Sequence, residues 1–138
     1  MKIAIVHLSD FHIHAGDKFL SQKTEGILSA LNVLGKVDDY IVVFSGDLSH
    51  SGQVNEFKQS RYLLGKIISG IKQKNDNKFV NLFMVPGNHD LCLPENARVR
   101  KDIQEHYDSE TIEELIPNEI SYLENYYSCL LYTSDAAD

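Results

Sequence analysis

The sequence is poor in three features that would place it in other classes of protein. Only two of its 138 residues are cysteines, which is too few for a disulfide framework and suits a reducing compartment. Basic residues number 13 against 20 acidic ones, so the formal charge of -7 gives a polyanion such as DNA no attraction to the surface as a whole. The first apolar run, Ile3 to Leu8, is too short for a signal-peptide core or a membrane span. We therefore expect a cytoplasmic protein without membrane partners. The composition does not indicate a nucleic-acid partner, although it does not exclude one.

The chain has enough apolar residues to form one globular domain, since hydrophobic residues make up 43% of it. Three nearly continuous apolar runs predict strands that are buried on both faces: Lys2–Leu8, Tyr40–Ser45 and Phe79–Val85. Two segments with helical spacing lie between them, from about Ser21 to Leu34 and from about Val54 to Gln73. The order β-α-β-α-β predicts an α/β fold with parallel strands and helices on the faces of the sheet.

The rest of the chain is more polar and predicts mainly helix. A helical pattern begins at about Thr111, is interrupted at Pro117 and continues to Tyr127. We expect its apolar positions to dock on the sheet, the alternative being that they bind a partner. Residues 129–138 resemble the translation of a transposase adapter used to prepare sequencing libraries, so we expect a non-native tail that packs against nothing, following a domain over residues 1–128. The alternative for the tail is an ordinary C-terminal extension.

Metal-binding residue types follow each of the three predicted strands. The three loops begin with the strings Asp10-Phe11-His12, Gly46-Asp47 and Gly87-Asn88-His89-Asp90. In a parallel sheet these loops meet at one edge, beyond the carboxyl ends of the strands. Taken alone, such an aspartate is often a turn or helix-cap residue. Together, carboxylate, imidazole and amide oxygen are the ligands of Mn, Fe or Zn, and they predict a metal site.

The first loop offers two ligands for one ion. Residues two apart in an extended segment project to the same side, so Asp10 and His12 are predicted to hold one cation between them. The residue between them, Phe11, would then point away into packing. This spacing predicts an extended first loop.

The second loop is predicted to supply a bridging carboxylate. Two divalent cations about 3.5–4 Å apart repel each other unless an anion lies between them. Asp47 is the residue placed to bridge, because it lies on the central loop. Gly46 and Gly52 would let the backbone turn tightly beneath the ions.

The third loop offers a ligand and a proton donor. Asn88 presents a neutral oxygen to a second ion, and the adjacent His89 is left free to act as a general acid on the substrate. Asp90 is placed to orient the ring of His89. The alternatives are a surface loop histidine for His89 and a turn cap for Asp90.

These three strings resemble the first three signature blocks of the calcineurin-like metallophosphoesterase superfamily, in the right order, over Ile3 to Asp90. The resemblance implies an α/β sandwich with two divalent metal ions (Mn, Fe or Zn). It also implies hydrolysis of phosphomonoesters or phosphodiesters by a metal-bound hydroxide, so that the partner is a phosphoester substrate. Carried over by position, the roles are first-ion ligands for Asp10 and His12, bridge for Asp47, second-ion ligand for Asn88 and acid for His89.

The sequence departs from the family pattern at its histidines. His50 stands where the family usually has an acidic residue, and it either faces the substrate or merely fills the loop. His14 continues the spacing of the first loop and lies either near the cleft or in solvent. His7 is expected to be a core histidine and His106 a solvated helix residue.

The family draws its remaining ligands from downstream histidine blocks, including Gly-His-x-His, that this sequence lacks. We therefore expect the truncated N-terminal part of such a domain, carrying part of the site and nearly inactive alone. The rival interpretations are a non-catalytic metal-binding or scaffolding module and a nuclease.

Overall fold

The computed structural model describes residues 1–74, 79–92 and 121–131, with side chains described to residue 129. Within these ranges the chain forms three strands and three α-helices, in the predicted order. A short 3₁₀ turn, Leu31–Leu34, extends the first helix. The predictions for residues 111–120, for His106 and for residues 132–138 lie outside the described ranges. The elements are β1 (Ile3–Leu8), α1 (Leu20–Ala30), β2 (Asp39–Ser45), α2 (Val54–Lys74), β3 (Val80–Val85) and α3 (Glu124–Leu131).

The three strands form a parallel sheet in the order β1-β2-β3, as the sequence predicts. In its register Val6 pairs with Val42, which in turn pairs with Leu82. On one face of this sheet, α1 and α2 contact each other and build the main core. The fully buried residues Leu63 and Ile67 of α2 lie in that core with the strand valines.

In the described part of the chain, the other face of the sheet is exposed at β1 and β3, so the prediction that the strands are buried on both faces is wrong for these two. The side chain of Ile5 is 69% exposed and that of Phe83 is 59% exposed. The reason lies in the topology. When sequential strands lie side by side and both crossovers are right-handed, the two helices fall on the same face.

A second cluster of buried residues joins α3 to the end of the sheet that carries the three loops. Tyr126 of α3 packs there with Phe44 of β2 and Phe57 of α2. The docking expected for this helix is therefore confirmed for its described residues. Cys129 also packs against this cluster, so the expectation that residues 129–138 pack against nothing is wrong at that position, where α3 continues.

Cys92 and Cys129 are both free thiols, as expected for a chain without a disulfide framework. Among the residues described, none of the helices combines the length and the apolar character needed to cross a membrane.

Candidate metal centre

The first two loops continue the parallel pairing of β1 and β2 beyond the sheet. The amide of Asp10 donates to the carbonyl oxygen of Gly46 at 3.1 Å, and the amide of His12 donates to that of Asp47 at 3.0 Å. Such pairing fixes the two loops side by side, so that the predicted ligands are adjacent. The same pattern runs on through Ile13, Leu48, Ser49 and His50.

Left-handed backbone occurs at three of the predicted ligands. The φ angles are 57° at Asp10, 44° at His12 and 58° at Asp47, and these are the non-glycine residues with positive φ in the described part of the chain. Non-glycine residues in this region cost on the order of 1–3 kcal/mol each and cluster at functional sites. The first loop is therefore not extended. The two-residue spacing predicted an extended loop, and that prediction is wrong. The backbone of this loop turns at both Asp10 and His12.

The predicted role of Phe11 is confirmed. Its side chain points away from the ligands and meets Phe44 edge to face, with ring centroids 4.9 Å apart. It also packs against both core clusters. Phe11 thus ties the first loop to the core while its two neighbours remain free for chemistry.

Glycines allow the second and third loops to touch backbone to backbone. A Cβ atom on Gly46, whose φ is 103°, would lie 2.9 Å from the Cα of Gly87. A Cβ on Gly52 would meet the backbone of Leu91, and one on Gly87 would meet Asp47. The prediction that Gly46 and Gly52 permit tight turns is confirmed, and Gly87 adds a third position without room for a side chain.

Asp10, His12 and Asp47 come together as a group of potential ligands. One ligand atom from each lies within 4.8 Å of the others. The Nε2 atom of His12 is 3.8 Å from Oδ1 of Asp10. The Nδ1 atom of His12 is buried and has no hydrogen-bond partner among the described residues, which is costly for a polar atom unless something satisfies it. The donor set of two carboxylates and one imidazole fits a divalent cation.

The third loop approaches this group through its backbone. The amide of His89 donates to Oδ1 of Asp47 at 2.8 Å, which fixes one oxygen of that carboxylate and leaves the other for a cation. Asn88 is exposed and begins the 3₁₀ turn Asn88–Asp90. It is flanked by Gly87 and His89, both of which approach Asp47.

Asp90 is held away from the ring that it was predicted to orient. Its fully buried carboxylate accepts hydrogen bonds from the amides of Ser49 at 2.8 Å and Gly87 at 2.9 Å. The Nδ1 atom of His89 instead lies 2.8 Å from the carbonyl oxygen of His50. The backbone of His50 therefore orients the ring, and Asp90 joins the second and third loops.

Four histidines gather at the loops. The ring of His12 meets that of His89 edge to face, with centroids 4.5 Å apart. The ring of His50 lies 3.9 Å from that of His14, which is exposed and therefore lies in solvent beside His50. His7 is different from its prediction, because it is exposed, not in the core, and its Nε2 atom is 2.7 Å from the hydroxyl of Ser45.

The family model of the calcineurin-like phosphoesterases matches residues 3–135. The chain belongs to this family. No curated protein matched the chain. The family resemblance carried by the three loops is confirmed, and so is the α/β class. Family membership indicates metal-dependent phosphoester hydrolysis, and the Asp and His groups described above could bind the metal.

Two residues that support the second loop were missed by the sequence reasoning. Ser49 is fully buried, and its hydroxyl donates to the Asp90 carboxylate at 3.0 Å. Glu56 is 5% exposed and accepts from the amides of Ser51 at 2.8 Å and Gln53 at 3.2 Å. Glu56 could have been found, because Glu at the third residue of a helix is typical of a capping box. Nothing in the sequence pattern distinguishes Ser49 from an ordinary loop serine.

An ion pair ties the end of the first loop to α1. Nζ of Lys23 lies 2.9 Å from Oδ2 of Asp17, whose amide also bonds to the side chain of Gln59 on α2. Burial acts to raise the pKa of the Asp17 carboxyl. The hydrogen bonds from Lys23 and from the amide of Phe19 outweigh burial, so the pKa lies below its ordinary value. Lys23 also lines a cavity of about 350 Å³ beside Asp10.

The helix α3 and the residues just before it contact the second and third loops. The side chain of Asn125 donates to the carbonyl oxygen of Gly52 at 3.0 Å, and the amide of Cys92 donates to that of Tyr122 at 2.9 Å. Tyr126 is 2% exposed, and burial together with the charge of Asp90 raises the pKa of its hydroxyl. Residues as far along the chain as Tyr126 therefore help to hold the loops of the candidate centre in place.

Proposed function

We propose that the chain hydrolyses phosphoesters with a centre for two divalent metal ions, of which it supplies four ligands. Asp10 and His12 bind the first ion, Asp47 bridges and Asn88 binds the second. The observation that carries the proposal is the meeting of Asp10, His12 and Asp47 within 4.8 Å. The left-handed backbone of these three residues supports it. Strained conformations of this kind persist only where the surrounding structure enforces them, and they cluster at functional sites.

The bridging role belongs to Asp47 because of its position between the other loops. Its backbone carbonyl accepts from His12 of the first loop, and its carboxylate accepts from His89 of the third. A carboxylate at this place can neutralise charge from both sides. Divalent ions bound there would stabilise negative charge on the phosphoryl oxygens. They would also lower the pKa of a bound water to near neutrality.

His89 is the general acid in this proposal. The carbonyl oxygen of His50 engages its Nδ1 atom, so Nε2 is the nitrogen left to give a proton to the leaving oxygen. Asp90 contributes indirectly by anchoring the backbone of the third loop to the second. The exposed ring of His50, whose centroid lies 5.8 Å from that of His89, is proposed to contact the substrate.

The test is hydrolysis of bis-p-nitrophenyl phosphate with Mn²⁺ and with a chelator. Four protein ligands shared by two ions leave each ion short of donors, so we expect a slow reaction that stops in the chelator. His89→Asn should lower the rate by roughly 10²–10⁴-fold while Mn²⁺ still binds. The control is His7→Asn, which changes a histidine on the open face of the sheet. Mn²⁺ binding without hydrolysis above background would favour the metal-binding module instead, and a metal-dependent rate that survives His89→Asn would remove His89 from the role of general acid.

A further inference from the structure

A second group of potential ligands lies beside the first and consists only of imidazoles. One ring nitrogen each from His12, His50 and His89 lies within 4.8 Å of the other two. The three residues come from three different loops, so the chain topology and not local sequence brings them together. The group shares His12 with the carboxylate group of Asp10 and Asp47.

The rings of this group are already oriented. The Nδ1 atom of His89 is engaged by the carbonyl oxygen of His50, which leaves Nε2 free in the manner of a metal-binding histidine held by a backbone carbonyl. The centroid of the His50 ring lies 3.9 Å from that of the His14 ring. The backbone amide of His50 donates to the carbonyl oxygen of Ile13 at 3.1 Å. Little rearrangement is therefore needed to bring three nitrogens onto one ion.

We propose that His12, His50 and His89 form a Zn²⁺ site that is an alternative to the carboxylate site. Three neutral imidazoles and an open fourth position are a donor set that suits Zn²⁺, whereas Mn²⁺ favours carboxylate oxygens. Because both sites need His12, an ion in one excludes full coordination in the other. Zinc held by the imidazoles also occupies His89, so it inhibits the Mn²⁺-supported hydrolysis. Only this inhibition rests on the proposed function, since the site itself stands on the three rings.

The experiment titrates Zn²⁺ and Mn²⁺ separately into the metal-free chain by calorimetry. His50→Ala should lower Zn²⁺ affinity by at least roughly tenfold and leave Mn²⁺ affinity within about threefold. Asp47→Asn should do the reverse, because the amide keeps an acceptor for the amide of His89 but loses the charge that Mn²⁺ needs. The control His7→Ala removes another exposed histidine and should change neither affinity. His50→Ala should fold, because the side chain of His50 is exposed and its hydrogen bond to Ile13 is made by the backbone. Thermal unfolding without metal checks that each variant folds.

X-ray absorption of the Zn²⁺-loaded chain provides a second, direct measurement. We expect scattering from about three imidazoles in the wild type and two in His50→Ala. Zinc with a single imidazole would overturn the proposal. So would Zn²⁺ affinity that survives His50→Ala, affinity lost in both His50→Ala and Asp47→Asn, or no Zn²⁺ binding at all. Failure of phosphoester hydrolysis would leave the zinc site untouched, because neither titration involves substrate.

Discussion

The carboxylate of Asp90 accepts a hydrogen bond from the amide of Ser49 at 2.8 Å, and both residues are fully buried. The same carboxylate accepts from the amides of Leu48 at 3.2 Å and Gly87 at 2.9 Å. One side chain thus satisfies three backbone donors from two loops. The alignment of the second and third loops, and with it the candidate centre, depends on this residue.

We expect Asp90→Ala to lower the free energy of unfolding by about 2–4 kcal/mol, because it leaves buried amides without acceptors. Urea unfolding measures the change. Glu25→Gln is the control, since it removes an acidic charge at an exposed position of α1. An Asp90→Ala variant as stable as this control would mean that the loops are held together by other contacts.

Gly87→Ala should weaken Mn²⁺ binding by at least about tenfold, because the new Cβ would collide with Asp47. Gly65→Ala is a matched control, since a Cβ at that helical position meets nothing within 4 Å. There we expect a gain of about 0.5–1 kcal/mol in stability and unchanged metal binding. Equal Mn²⁺ affinity in the two variants would show that the close approach of Gly87 to Asp47 is not required.

Tyr126→Phe should raise the free energy of unfolding by about 1 kcal/mol. The hydroxyl is buried without a partner among the described residues, so its removal relieves an uncompensated polar group and keeps the ring in the core. Tyr62→Phe changes a hydroxyl on a side chain that is 57% exposed and should have little effect. Destabilisation by Tyr126→Phe would indicate that the hydroxyl is satisfied after all.

The ion pair of Asp17 and Lys23 predicts a specific pH dependence. The folded pKa of Asp17 lies below its ordinary value of 3.8, so the stabilisation is complete above that value and is lost as the pH falls through the folded pKa. Thermal unfolding of wild type and Asp17→Asn between about pH 7 and pH 2 tests this. The wild type should be more stable at neutral pH, and the difference should shrink in acid. A difference that grows in acid would contradict the assignment.

The strands, helices and ligand loops could be predicted because their signals are local. Apolar runs and helical spacing place the elements within a few residues of their observed limits. Gly46 and Gly52 mark turns because few other residues tolerate their φ angles. The order of strands then brings the metal-binding residues to one edge of the sheet.

Other features depend on how the loops pack, which spacing does not encode. The open face of the sheet follows from both helices lying on one side, and an apolar strand sequence does not reveal which side is covered. Proximity in sequence suggested that Asp90 orients the ring of His89. The 3₁₀ turn instead sends the carboxylate to the second loop and leaves the ring to a backbone carbonyl.

The central claim is that the three loops form a metal site around Asp47. Electron paramagnetic resonance of free Mn²⁺ during titration of the chain counts the bound ions directly. We expect about one Mn²⁺ per chain to bind appreciably, at Asp10, His12 and Asp47, because among the described residues only Asn88 is proposed to bind the second ion beside the bridging Asp47. Asp47→Asn should abolish this binding and Glu25→Gln should retain it. Equal Mn²⁺ binding by wild type and Asp47→Asn would contradict the account.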